Sequence, residues 1–176
     1  IKVAINGMGR IGRSTLAAII ESGRSDIEVV SINAPAPIET LVHLMKYDSV
    51  HGRFPGDIKI IGSNIDVGRG QIDMQSTYNP AELNWEGIDV LLECTGVHNS
   101  KEASIIHLEN GAKKVLLSAP GKNVDKTVVY GVNHKELKSD DLIVSNASCT
   151  TNCLAPIAKV LNDAIGIENG IMTTIH

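Results

Sequence analysis

The sequence predicts an α/β fold: a doubly wound, mostly parallel sheet with a small antiparallel insertion. Three observations predict it. Strand-like and helix-like runs alternate along most of the 176 residues, joined by short links. A glycine-rich turn, Gly7-Met8-Gly9-Arg10-Ile11-Gly12, stands between the first strand and the first helix. The composition, 43% hydrophobic and 20% charged, suits a globular chain long enough to bury a core.

Residues 2–5 read as the first strand. Residues 10–22 read as a helix with Ile11, Ala18 and Ser22 along one face and Gly23 as its stop. Residues 27–33 are a second strand, and Ala34-Pro35-Ala36-Pro37 breaks the chain. Residues 38–47 are helical, with Leu41, Leu44 and Met45 on one side. Between 58 and 73, short polar–apolar alternation punctuated by Gly62, Gly68 and Gly70 predicts small antiparallel strands. Residues 89–94 form a buried strand, 101–110 a helix and 114–118 another strand; 127–131 and 142–145 complete the sheet. From 150 to 165 a longer amphipathic helix carries Leu154, Ile157, Ala158 and Leu161. Residues 171–175 then begin a new strand, and a fold that ends inside a strand is expected to be incomplete.

A Gly-x-Gly-x-x-Gly match alone is a weak signal, but here it follows a strand and opens a helix. Gly7 permits the tight turn, Gly9 lets a pyrophosphate approach the backbone, and Gly12 lets the helix pack closely on the sheet. The free N–H groups of the helix start then face the phosphates. The alternative is a tight strand–helix turn that holds no ligand. The first reading makes residues 1–148 a Rossmann-type dinucleotide-binding domain. An acidic residue about 20 positions on would hold the adenosine ribose of NAD. The second strand instead ends at Ser31-Ile32-Asn33, followed by Ala34. Losing that carboxylate removes a repulsion against a 2′-phosphate, and no nearby Lys or Arg adds an attraction. Cofactor use is expected to be relaxed or to lean towards NADP.

Ser145-Asn146-Ala147-Ser148-Cys149-Thr150-Thr151-Asn152-Cys153 follows a strand and opens the long helix. A helix N-terminus offers a positive dipole end and free N–H groups, which stabilise a thiolate, the reactive form. Ser148, Thr150 and Thr151 add hydroxyls that can bind phosphate. The competing reading of Cys149 is a capped, inert thiol. Cys153, four residues on, has no Cys or His set to complete a metal site, so no metal is expected. Cys94 reads as a buried core thiol. A nucleophilic thiol needs a proton shuttle, usually histidine. His107 and His134 read as surface residues, and spacing alone does not select His176 from His43, His51 and His98.

Lys and Arg number 16 against 20 Asp and Glu, a net charge of −4, and aromatics are 3%. With no basic stripe or stacking platform, nucleic acid is not an expected partner. No apolar run reaches the roughly 18–20 residues of a membrane span. The N-terminus is strand-like and unlike a signal peptide. Three widely spread cysteines give no disulfide framework, so a reducing cytoplasm is the expected setting.

Taken together, these residues resemble the N-terminal half of the phosphorylating glyceraldehyde-3-phosphate dehydrogenases. The resemblance spans all 176 residues. It rests on Ala4 to Arg13, Lys46-Tyr47-Asp48-Ser49-Val50-His51-Gly52, Glu93-Cys94-Thr95-Gly96, Ser118-Ala119-Pro120 and Gly131-Val132-Asn133. The block from Ser145 to Pro156 is its most specific part. The resemblance implies Cys149 as nucleophile and His176 as its base, with Ser148 and Thr150 on substrate or inorganic phosphate. It implies Arg10 and Ile11 at the pyrophosphate, Asn33 near the adenosine, and Thr95, Gly96 and Ser118 along the NAD. It implies a phosphorylated aldehyde as substrate, a thiohemiacetal and a thioester on Cys149, and a homotetramer. Residues 149–176 would then be the first helix and strand of an α+β catalytic domain. Ala34 departs from the family's usual aspartate, and Tyr78 stands where arginine is common. The family's remaining phosphate-binding arginines, tetramer-forming loop and C-terminal helix follow His176, so these residues alone are expected to turn over nothing. Gly96-Val97-His98, Pro120-Gly121 and Val129-Tyr130-Gly131 also have the flavour of the related erythrose-4-phosphate dehydrogenases, which hydrolyse the thioester. A catalytically incomplete nucleotide-binding module is the third reading.

Overall fold

The computed structural model describes residues 1–54 and 56–175. Its elements run β1 (Lys2–Asn6), α1 (Arg10–Glu21), β2 (Glu28–Asn33), α2 (Ile38–Lys46), β3 (Tyr47–Asp48), β4 (Gly52–Arg53), β5 (Lys59–Ile61), β6 (Asn64–Asp66) and β7 (Gln71–Gln75). They continue with β8 (Val90–Glu93), α3 (Lys101–Glu109), β9 (Val115–Leu117), β10 (Lys126–Thr127), β11 (Ile143–Ser145) and α4 (Cys149–Ile165).

The main sheet has the strand order β10-β11-β9-β8-β1-β2-β7-β6-β5. Every pair from β10 across to β7 is parallel; β7-β6 and β6-β5 are antiparallel hairpins that extend one edge. β3 and β4 form a separate antiparallel ribbon. The sheet is therefore the predicted mostly parallel one, with its antiparallel insertion at residues 59–75.

Neighbouring residues of β1 point to opposite faces. Ile5 joins a core with Leu16, Ile32, Leu41, Val42, Met45, Ile65 and Ile72, beneath α1 and α2. Ala4 joins a second core with Trp85, Leu91, Val115, Leu117 and Ile143, against which Leu108 of α3 packs. Both faces of the central strand are thus covered, as a parallel sheet requires.

The face that α1 buries is not the one expected. Gly12 and Leu16 are buried and Ile19 and Ile20 pack beside them, whereas Ile11 is 52% exposed and Ala18 and Ser22 face outward. The cause is backbone proximity. A Cβ on Gly12 would lie 2.0 Å from the Gly7 carbonyl oxygen, so Gly12 must face the sheet. In α2, Leu41, Val42 and Met45 are buried and Leu44 is on the exposed side.

Three further expectations are corrected. The strand at 127–131 shrinks to β10, because Asn133 Oδ1 accepts the Val129 N–H and turns the chain back. Residues 171–175 form no strand; they are exposed and pair in no ladder with the described residues. His107 is completely buried, because α3 lays it against Trp85 and Glu93.

Replacing Gly12 by alanine is expected to destabilise the full-length protein by about 2 kcal/mol, the scale of an overpacked core. Gly9→Ala, where a Cβ meets nothing within 4 Å, should stay within about 0.5 kcal/mol of wild type. Urea unfolding of the two variants checks both.

Candidate active site

All the parallel strands end at one edge of the sheet, where ligands of open α/β sheets bind. β1 leads directly into the glycine turn. Gly7 adopts φ 95°, a left-handed conformation, and lies against Thr95, leaving no room for a Cβ. Gly9 is the N-cap of α1, and no side chain caps that helix. The first-turn N–H groups therefore lack a side-chain acceptor. By contrast Ser100 caps α3 and Ser148 caps α4, each accepting a backbone N–H.

Two clefts flank this turn. One, of about 290 Å³, is lined by Asn6, Asn33, Pro35, Thr77, Tyr78, Thr95 and His98 among others. The other, of about 490 Å³, runs from Ile11 and Thr15 past Cys94 and Ser118 to Ala147, Ser148, Cys149 and Asn152. An uncapped helix start between two clefts has the shape a dinucleotide needs: a phosphate cradle with a base on either side. The residues present fit NAD.

Cys149 is the first residue of α4, directly after the Ser148 cap, and its side chain is exposed. Ala147, just before them, is buried with φ 59°, an uncommon conformation for a residue with a Cβ. That kink aims the start of α4 at the larger cleft. Ser148 Oγ accepts the Thr151 N–H at 3.0 Å and lies 3.0 Å from Thr150 Oγ1 and 2.7 Å from Thr151 Oγ1. A compact hydroxyl cluster thus stands beside the thiol. Cys94 lines the same cleft, where burial pushes its thiol up to about 11.

The structure brings Ile11, Ser118, Ser148 and Cys149 to one cleft and Asn33 and Thr95 to the other, with Gly7, Gly9 and Gly12 between. Thr150 sits behind Ser148, and Gly96 is exposed just past β8. The Arg10 backbone opens α1 at the glycine turn, while its guanidinium holds Asp48 at 2.9 Å. The backbone N–H groups of His51 and Val50, followed by Arg10, hold Asp48 down at about 2. Asn33 is fully engaged, donating to Asn6 and to the Thr77 carbonyl and accepting the Thr77 N–H. Its amide shapes the cleft floor. His176 lies outside the described residues.

One site feature escaped sequence reading. Beneath the glycine turn the buried side chains of Glu93 and Asn6 form a polar knot with the exposed Thr95. The available signal was a carboxylate closing the strand Val90-Leu91-Leu92-Glu93, at the position that alternation assigns to the same face as buried Leu91.

Residues 1–101 match the family model described as glyceraldehyde 3-phosphate dehydrogenase, NAD binding domain. Residues 148–176 match the model of the C-terminal domain of the same family. The chain is 63% identical over 178 residues to a glyceraldehyde-3-phosphate dehydrogenase of Xanthobacter flavus, and 61% over 176 to one of Cereibacter sphaeroides. It is 51% identical over 179 residues to one of Pseudomonas aeruginosa. Each match covers 100% of this chain and 53 or 54% of the relative, so the chain spans about half the length of the curated relatives it matches.

Alkylation by iodoacetamide at pH 8 should modify Cys149 and Cys153 at least about a hundredfold faster than Cys94, since the thiolate is the nucleophile. The Cys94 thiol is raised from 9.0 to about 11 in the fold. Its contribution to stability is full below pH 9.0 and is lost as pH rises towards about 11. Peptide mass mapping reads the first effect, and thermal melting with and without Cys94→Ala reads the second.

Proposed function

The chain belongs to the glyceraldehyde-3-phosphate dehydrogenase family, and from that premise we propose a specific reaction for the protein that carries it. The reaction is the NAD(P)-dependent phosphorylating oxidation of glyceraldehyde 3-phosphate to 1,3-bisphosphoglycerate. One observation carries the reading: an exposed cysteine opens a helix on the wall of the larger of the two clefts beside an uncapped glycine turn.

In this reaction the Cys149 sulfur forms a bond to the aldehyde carbon. The carbonyl oxygen takes up a proton, giving a thiohemiacetal. His176, assigned by resemblance, accepts the hydroxyl proton as the carbon loses a hydride. NAD supplies the hydride acceptor when bound. The C–O double bond re-forms as a thioester on Cys149. A phosphate oxygen then attacks the thioester carbon, the C–S bond breaks, and the thiolate leaves with its electron pair. Ser148, on the cleft wall beside Cys149, and Thr150, whose hydroxyl lies 3.0 Å from that of Ser148, would offer hydroxyls to that phosphate. Ile11 and the glycine turn would receive the pyrophosphate, and Ser118 would lie along the nicotinamide side.

At the adenosine end, Ala34 is buried and directly precedes Pro35 on the cleft wall, and no Lys or Arg lines that cleft among the described residues. NAD and NADP would therefore compete without a charge to separate them. The exposed Tyr78, whose hydroxyl lies 3.4 Å from the Pro35 carbonyl, offers a ring there instead of a cation. A cytoplasmic homotetramer belongs to the same proposal. Its support is the resemblance.

Full-length protein should reduce NAD with glyceraldehyde 3-phosphate, and the rate should collapse when phosphate is withheld. Cys149→Ser should lower kcat by at least about a thousandfold, because a hydroxyl is a poor nucleophile without activation. Preference for erythrose 4-phosphate with indifference to phosphate would promote the hydrolytic relative. Ala34→Asp should shift the NAD-to-NADP ratio of kcat/KM towards NAD by about tenfold or more, through repulsion of the 2′-phosphate.

A further inference from the structure

Glu93 is a buried carboxylate that the proposed reaction does not use. Glu93 ends β8 at the centre of the sheet, and its side chain has no exposure at all. A carboxylate there costs several kcal/mol unless donors surround it. Asn6 Nδ2 donates to its Oε2 at 2.6 Å, and the Thr95 N–H donates to its Oε1 at 2.8 Å. The Thr95 hydroxyl donates to the same Oε1. His107 Nε2 stands 3.2 Å from Oε2 without the alignment of a good hydrogen bond, while Nδ1 of that ring accepts the Trp85 N–H. Burial pushes Glu93 up more than any other single influence. The nearby His107 Nε2 and the donors of Thr95 and Asn6 together outweigh it and hold the carboxyl below its ordinary value.

From Glu93 a chain of hydrogen bonds crosses the ends of four neighbouring strands. Asn6 ends β1, and its Oδ1 accepts from Asn33 Nδ2, at the end of β2, at 2.8 Å. Asn33 then grips the backbone of Thr77, just past β7, through both its amide atoms. The Thr77 backbone fixes which way Asn33 points. Asn33 in turn obliges Asn6 to present its NH2 to position 93. The Thr95 backbone also presents an N–H there. Only a side chain with two acceptor oxygens satisfies both, and an ionised glutamate is such a group. Asn6, Asn33, Thr77 and Thr95 all line the smaller cleft, and Gly7 rests directly on Thr95.

We propose that Glu93 is a positioning residue for the dinucleotide: by accepting from Asn6 and Thr95 at once, it locks the floor of the adenosine-side cleft and the seat of the glycine turn. The inference rests on the cofactor reading above. Glu93→Gln keeps the shape but offers one acceptor oxygen, so an NH2 must face either Asn6 or Thr95, donor against donor. Asn33→Ser breaks the same chain without touching the buried charge.

Both variants of the full-length protein should be titrated calorimetrically with NAD and with ADP-ribose, which lacks the nicotinamide. Thermal unfolding first selects the variants that fold. Binding of both nucleotides is expected to weaken by about tenfold and to the same extent, while Cys149 alkylation keeps its wild-type rate. A folded variant that binds both as wild type does overturns the role of Glu93. So does a loss confined to NAD, which would place the effect at the other cleft. Wild-type protein that binds neither nucleotide overturns the cofactor reading and this inference with it.

Discussion

How closely α1 can approach β1 governs the rest of the functional edge. Gly12 carries no side chain, so the first turn of the helix rests on the carbonyl of Gly7. That contact fixes the direction of the helix and therefore the direction in which its free N–H groups point. It also rotates α1 about its axis, so that Leu16 enters the core and Ile11 stands at the rim of the larger cleft. One absent methyl group thus places an anion cradle, a core residue and a cleft wall together.

The second constraint is polar. Parallel strands bring their last residues to a common edge, and here several of those residues carry an amide, a carboxylate or a hydroxyl: Asn6, Asn33, Glu93 and Ser145. Ser145 shows the same habit as Glu93. Its hydroxyl accepts the N–H groups of Gly121 and Ala147 and donates to the Ala119 carbonyl, tying the loop after β9 to the segment that leads into Cys149. Buried side-chain hydrogen bonds stiffen the loops at this edge, while apolar contacts hold the layers beneath it.

Much of the fold was legible because its signals are local. Glycine spacing, strand alternation and the Ala34 to Pro37 break each act within a few residues, and the parallel order follows from short crossovers. What escaped depends on distant partners. The outward face of α1 looked apolar because Ile11 and Ala18 share it, yet the Gly12 contact with Gly7 decides the rotation. His107 read as a surface residue because a helix histidine usually is one; only Trp85 and Glu93, far away in sequence, make its burial tolerable. The Cys149 segment was legible as a cysteine at a helix start. That it shares a cleft with Cys94 and Ser118 was not, because β8 and β9 bring those residues from elsewhere in the chain.

The hydrogen-bond chain from Glu93 to Thr77 also constrains how such a sequence can drift. Each member faces a neighbour whose donor or acceptor character is already determined, so a single replacement leaves a buried group facing its own kind. An apolar residue at position 93 would strand the Asn6 NH2 and the Thr95 N–H, and an apolar residue at position 6 would take one partner from Glu93 and one from Asn33. A viable route to an apolar floor would need several of these positions to change together. The strand ends are therefore one interlocked unit, in which the choice of side chain at each position is set by its neighbours along the hydrogen-bond chain.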